Sequence, residues 1–362
     1  MPVERVLIYR FGFLGDSIVA LPSFHLIARA FPQATRFVLT NIPESAKASP
    51  SRSILDGTGL VHGYIEYSRA EHTPGGLWKL RKRVREFNPD LLIHLSFPER
   101  GLARVAGEMA FFAACGIPRV IGAPYLPSLG RSQKVPGTDH WESESQRLAR
   151  CLKSLGDSRV EDAASWNLHL SAAERDRADS ILRGWTHGKP FIALSIGAKA
   201  DVKDWGEDNW KELVAQLWHR HQDLGMVLVG VKEEADLSER ISGGWLGPKL
   251  NVCGKLSPRE TAAILGRASV FVGHDSGPMH LAAAQGITCV AIFSGQNKPG
   301  VWFPHGSQHQ VLYHRTECFG CQLDVCTDHG KKCIRSISVS EVLTAFEEVV
   351  PRNQPPAHAT LE

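Results

Sequence analysis

No apolar run in this chain approaches the roughly 18 residues that span a bilayer. The N-terminus, Met1-Pro-Val-Glu-Arg-Val-Leu-Ile-Tyr9, lacks the apolar core and small-residue cleavage site of a secretory signal. Both absences point to a soluble, cytoplasmic protein. An excess of one charge is missing too: 41 Lys and Arg face 38 Asp and Glu, for a net +3. With no global field, nucleic acid is not an expected partner, and any basic surface must be local. The dinucleotide fingerprint of three glycines is also absent. Gly12-x-x-Gly15 is followed at once by Asp16, where the fingerprint needs a third glycine and an acidic residue about 20 positions on, which argues against an oxidoreductase. The 8 cysteines are not spaced like a disulfide-stapled domain. Cys115, Cys151, Cys253 and Cys289 stand singly in apolar surroundings and read as buried thiols.

What is present is a repeating α/β pattern. At 362 residues the chain exceeds the size, about 250 to 300 residues, at which single cores stop growing, so two domains are expected. Short apolar runs at Val6–Tyr9, Arg36–Thr40, Tyr64–Tyr67, Leu91–Leu95 and Arg119–Gly122 read as strands separated by helical stretches. A second series follows at Phe191–Ile196, Met226–Val229, Asn251–Cys253, Val270–Val272, Thr288–Phe293 and Val311–Tyr313. This alternation predicts parallel sheets covered by helices. Gly184-Trp-Thr-His-Gly-Lys-Pro190 breaks the pattern, giving an α/β chain with domains over 1–175 and 186–350 that face each other across a cleft.

Three local features qualify that plan. The helix Gly76–Phe87 sets Leu77, Leu80, Val84 and Phe87 on one face and carries Lys79, Arg81, Lys82, Arg83 and Arg85 elsewhere. That is either a solvated face or a basic patch for peripheral contact with an anionic inner membrane or a phosphorylated acceptor. Residues 124–140, rich in Pro, Gly and Ser, read as a long loop, a candidate flap over the acceptor side. Ser257 with Glu260 forms a capping box ahead of the helix that precedes Val270.

The chemistry concentrates at strand ends. Asp275-Ser276-Gly277-Pro278-Met279-His280 joins a buried strand to a helix that Gly286 stops. Pro278 suits the first helical position and Ser276 can cap. The free N–H groups of such a helix form an anion site, and Gly277 removes a side chain that would block a diphosphate. The alternative is an ordinary βα turn. At the end of the first strand, Asp16 is either a helix N-cap or a carboxylate placed where open α/β sheets hold their ligands.

Gly12-x-x-Gly15-Asp16, Gly197-Ala198 with Lys203-x-Trp205, and Asp275 to His280 followed by Leu281-Ala-Ala-Ala284, in this order, resemble glycosyltransferase family nine, the heptosyltransferases of lipopolysaccharide. The resemblance covers nearly the whole chain and is most specific in the C-terminal half. It implies a GT-B fold of two Rossmann-like domains, acceptor on the first and nucleotide-sugar donor on the second, and an inverting transfer with no catalytic metal and no cofactor. It implies ADP-heptose as donor and a lipopolysaccharide core or other glycan as acceptor. Asp16 matches the family's general base, with Gly15 beside it on the acceptor side and Glu99 as the next carboxylate to consider. Lys203 matches the lysine that holds the donor phosphates. Gly197, Ala198, Glu234, Asp275, Ser276, Gly277, Met279 and His280 fall at donor-binding positions, Asp275 toward sugar hydroxyls and Ser276, Gly277 and Met279 offering backbone donors. The chain departs from the family at Asp204 and Gly206 around the tryptophan, at His274 in place of asparagine, and in a longer Phe293–Pro299 loop. Two other readings remain: a GT-B enzyme such as a nucleotide-sugar epimerase, or a non-catalytic nucleotide-sugar binding module.

Cys318-x-x-Cys321-x4-Cys326-x6-Cys333 places four thiols within sixteen residues. They are either ligands of a structural zinc or iron–sulfur centre, with His329 as an alternative ligand, or free or paired thiols.

Overall fold

The computed structural model describes residues 2–45, 48–95, 101–125, 127–185 and 189–350. All eleven expected strands form, in two parallel sheets. The first contains β1 (Arg5–Tyr9), β2 (Thr35–Asn41), β3 (Gly63–Tyr67), β4 (Leu91–His94) and β5 (Val120–Ile121), in the order β3-β2-β1-β4-β5. The second contains β6 (Phe191–Ser195), β7 (Gly225–Leu228), β8 (Lys249–Asn251), β9 (Val270–His274), β10 (Cys289–Phe293) and β11 (Gln310–Tyr313), in the order β11-β10-β9-β6-β7-β8. β8 lies two residues ahead of the expected position, β9 runs two residues further than expected, and the other bounds shift by one at most.

The central strands β1, β4, β6, β7 and β10 read as nearly continuous buried apolar runs rather than alternating ones, because helices cover both faces of a parallel sheet. Leu7 of β1 sits in register with Phe37 and Leu92, and Ala193 of β6 with Val227 and Phe271. In each sheet the winding reverses beside the first strand, between β1 and β4 and between β6 and β9. A crevice opens at the carboxyl ends of such strand pairs, and open α/β sheets bind ligands there.

Several local expectations are corrected. The helix Pro74–Phe87, capped by Thr73 Oγ1 accepting from the Gly76 amide at 3.2 Å, buries Gly76, Leu80 and Val84. Gly76 lies against the Glu71 backbone, where an added Cβ would stand 2.4 Å from an oxygen. Gly76 therefore takes the inward position of the first turn and rotates Leu77 out, leaving it 41% exposed. Phe87 stacks on Phe37 at 4.3 Å. Three of the five cations have partners: Arg81 donates to the Ala114 carbonyl at 2.7 Å, Arg83 to Glu71 and to the Glu66 carbonyl, and Lys82 pairs with Glu86 at 3.9 Å.

Residues 124–140 are not a free flap. They include a helical turn, Pro127–Gly130, and a bridge between Lys134 and Trp141, and they end on the second domain. There the Trp141 amide donates to Pro299 O at 2.8 Å and the Glu144 amide to Val301 O at 2.9 Å. Gly300, at φ +97, permits this approach, since a Cβ would meet Trp141 O at 2.2 Å. The connecting helix Ala172–Arg183 packs on the helix Pro258–Leu265 through Arg259–Glu174 and Arg267–Asp179. The 186–188 stretch lies outside the described residues. One apolar cluster runs through both halves, from Val6, Phe24 and Leu91 to Phe271, Met279 and Ala291.

Candidate active site

The first sheet supplies a carboxylate. Beyond β1, Gly12 adopts φ +136 and donates its amide to Asn41 Oδ1 at 2.8 Å. Asp16 packs against Gly12 so closely that a Cβ there would lie 2.5 Å from Asp16 Cβ. Asp16 is the third residue of the helix Leu14–Val19, not its N-cap; Phe13 holds the cap position, and Asp16 Oδ2 accepts its amide N–H at 2.7 Å. Burial pushes the Asp16 carboxyl above its ordinary value, while Arg10 and the Phe13 N–H pull the other way. Arg10, fully buried, donates from Nη2 to Asp16 O at 3.0 Å and from Nη1 to Glu144 Oε1 at 3.1 Å. Arg147 closes on the same Glu144 at 2.7 Å. A buried charge needs such a partner, and sequence reading missed this support because Arg10 and Glu144 are far apart in the chain.

The second sheet supplies a lysine. Lys203, in the turn beyond β6, places Nζ 2.7 Å from Oδ2 and 3.4 Å from the carbonyl of Asp275, beyond β9. His274 holds this turn from beneath: its Nε2 accepts the Trp205 amide and the Trp210 indole N–H, each at 3.3 Å. The proton therefore sits on Nδ1, which donates to Gly197 O at 3.2 Å. Burial depresses the His274 pKa to about 4, so the ring is neutral. Gly197 lies against Glu234, with a hypothetical Cβ 1.9 Å from its carboxyl carbon. Asp204, a departure from the family pattern, is matched within the fold: Lys331 Nζ lies 3.4 Å from it and 3.0 Å from Asp201.

The two strand-end helices meet. Gly15 of the helix Leu14–Val19 lies against His280, and Gly277 of the helix Gly277–Ala284 against Leu14, where a Cβ would stand 2.8 Å from Leu14 Cδ2. Two glycines thus let the helix ends approach. Burial depresses the His280 pKa to about 4. Around this crossing lies a cleft of about 770 Å³ lined from both domains, by Gly15 and Asp16 on one side and Gly197, Lys203, Glu234, Asp275, Ser276, Gly277 and His280 on the other. Pro278 is the second helical residue rather than the first, and Ser276 occupies the N-cap position without a side-chain cap; its Oγ has no hydrogen-bond partner among the described residues. Met279 is fully buried in the core, and neither it nor Ala198 lines the cleft. Glu99 lies outside the described residues.

Residues 148–331, just over half of the chain, match the model of glycosyltransferase family 9 (heptosyltransferase). The chain belongs to glycosyltransferase family 9. Among relatives of this family member, lipopolysaccharide heptosyltransferase 1 of Pseudomonas aeruginosa is 27% identical over 329 residues, which is 89% of this chain and 87% of that one. Of solved structures, a family 9 glycosyl transferase from Veillonella parvula superposes with a TM-score of 0.72 at 16% identity, covering 96% of this chain and 97% of its own. The Escherichia coli heptosyltransferase WaaC with ADP-2-deoxy-2-fluoro heptose gives 0.61 at 17%, covering 95% and 99%. The two parallel sheets form the GT-B fold.

In this family 9 chain, the cysteine segment lies beside the cleft. Gln296 Nε2 donates to Leu323 O at 2.8 Å, and the Gly320 amide to Gly295 O at 2.7 Å, so Asp324 and Val325 join the lining. Cys318, Cys321 and Cys333 gather around Tyr313. Cys326 engages the Lys331 amide at 3.3 Å, and backbone N–H groups hold its thiol below the usual range. Among the described residues no group of three or more His, Cys, Asp or Glu is arranged to hold a metal ion, and no helix is long and apolar enough to cross a membrane.

Proposed function

We propose that this protein transfers a heptose from ADP-heptose to a lipopolysaccharide core-type acceptor, with inversion and without a catalytic metal. The observation that carries the reading is the cleft itself, with Asp16 of the first sheet facing Lys203 and Asp275 of the second. The acceptor binds to domain 1–175 with its hydroxyl at Asp16. That carboxylate takes the hydroxyl proton as the oxygen attacks the anomeric carbon, a contribution of about 10² to 10⁴ in rate. The bond from that carbon to the diphosphate oxygen breaks on the opposite face, so the configuration inverts.

Domain 186–350 binds the donor. The charge that grows on the leaving diphosphate meets Lys203 and the free N–H groups of the helix Gly277–Ala284. Asp275 and Glu234 accept from sugar hydroxyls. The names of the Pseudomonas relative and of the WaaC complex support a lipopolysaccharide acceptor and an ADP-linked heptose. The helix Pro74–Phe87 fits peripheral contact with the cytoplasmic face of the inner membrane: Trp78 is 61% exposed beside Lys79, Lys82 and Arg85, each cation contributing about 1 kcal/mol near anionic lipid.

Turnover of ADP-heptose with a truncated core acceptor, in the presence of a chelator, tests this directly. A transferred heptose of inverted configuration is expected. Hydrolysis without transfer, or a retained configuration, rules the reading out.

A further inference from the structure

Lys199 belongs to none of the motifs that identify the site, yet it crosses from one domain to the other. It follows Gly197-Ala198 in the loop leaving β6, and its ammonium lies 3.9 Å from the centroid of the Phe13 ring. Phe13 is the residue whose amide Asp16 holds. An aromatic face attracts a cation, so Phe13 seats Lys199 at the rim of the cleft between two carboxylates. Burial disfavours its charge most, while Asp16 of the first domain and Asp324 of the cysteine segment favour it and Lys203 opposes them.

We propose that Lys199 is a positioning residue for the base: seated on Phe13 across the domain boundary, its ammonium keeps Asp16 ionised when the two domains are closed. This rests on Asp16 acting as the base. The groups that face Asp16 are few. Arg10 comes from the end of β1, but it is already paired with Glu144 at 3.1 Å. Glu144, from the helix Glu144–Cys151, repels the Asp16 charge. The neighbouring helix Gly277–Ala284 brings His280 against Gly15, and burial keeps that ring neutral. The helix Arg52–Leu55 packs on the Asp16 helix, but its Arg52 pairs with Glu66 at 3.3 Å. Among the described residues, the Phe13 amide and Lys199 complete the set. Lys199 is therefore, among the described residues, the cation that reaches Asp16 from the donor's domain. Burial favours the protonated carboxyl and leaves its pKa raised; Arg10 and the Phe13 N–H oppose burial most, and Lys199 adds to them from the other domain. Separating the domains withdraws that cation, so the charge of the base becomes tied to closure of the cleft.

The test is the pH dependence of kcat/KM in the full-length enzyme with Lys199→Met, Lys199→Arg and Asp16→Asn. Lys199→Met is expected to move the acid limb up by about one pH unit, with a roughly tenfold loss on the acid side that shrinks as pH rises and an unchanged melting temperature. Lys199→Arg keeps the wild-type limb, because the charge over Phe13 is retained. An unshifted limb in Lys199→Met, with a loss equal at every pH, overturns the inference and marks Lys199 as a donor contact. Activity surviving in Asp16→Asn overturns instead the assignment of the base on which the inference rests.

Discussion

Lys203 Nζ lies 2.7 Å from Asp275 Oδ2, tying the turn that leaves β6 to the turn that leaves β9 at the point where the second sheet reverses its winding. Asp275 is 7% exposed and Lys203 20%, so each is the other's main neutralising partner within the protein. In the proposed donor complex, a diphosphate competes with Asp275 for this ammonium. Lys203→Ala is therefore expected to weaken donor binding by roughly 1.5 to 3 kcal/mol, the range for a charged hydrogen bond. Isothermal titration with the nucleotide sugar measures it, and unchanged affinity removes Lys203 from the donor site.

Asp16 accepts the Phe13 amide through one oxygen, a bond that asparagine can keep. Asp16→Asn should lower turnover by about 10² or more while donor affinity holds. Its effect on stability has a definite sign. A carboxyl whose pKa is raised in the fold is most favourable below its unfolded value and loses that advantage as pH rises through the folded value. The variant should thus be at least as stable as the parent at pH 7. A lower melting temperature there would show that the charge itself holds the loop.

His274 and His280 are both depressed to about 4 by burial. A histidine with a lowered folded pKa contributes fully above its unfolded value near 6.5, and the contribution fades as pH falls toward 4. Each should cost about 2 kcal/mol of stability between pH 7 and pH 5. Urea unfolding at the two pH values checks the slope, and His274→Asn should remove about 2 kcal/mol of that loss. A slope unaffected by that change would mean that His274 is already protonated in the fold.

Gly12→Ala introduces a Cβ 2.5 Å from Asp16 Cβ at a φ of +136. Both the strain and the collision fall on Asp16, the proposed base, so turnover should drop far more than donor affinity. A melting-temperature loss of several degrees should accompany it, since such a backbone costs about 1 to 3 kcal/mol. Near-normal turnover would show that Asp16 need not sit against this glycine.

The cysteines should divide by reactivity. Cys115, Cys151, Cys253 and Cys289 are buried, whereas Cys321 is exposed and Cys318, Cys326 and Cys333 are partly so. Burial pushes the Cys253 thiol up to about 11, while backbone N–H groups hold Cys326 low. Alkylation of native protein should start at Cys326 and spare the four buried thiols, read by mass spectrometry. Protection of Cys318, Cys321, Cys326 and Cys333 together with stoichiometric zinc or iron would support the metal-ligand reading instead.

The sequence by itself determined the α/β class, eleven strands, the two-domain plan and the strand-end motifs. Apolar runs, capping residues and glycines are local signals, and each acts within a few residues of itself. The Ser257 capping box forms as read, with Glu260 N–H to Ser257 Oγ at 3.2 Å. Only the tertiary structure decided how the motifs are supported. Arg10 reaches across 134 positions to Glu144, and Lys331 across 127 to Asp204. Lys199 crosses from one domain to Phe13 in the other, and Gly76 displaces Leu77 from its helix face. Such pairings arise when burial brings charges from distant segments together and requires each to find a partner. That requirement is met in space, and spacing along the chain does not record it.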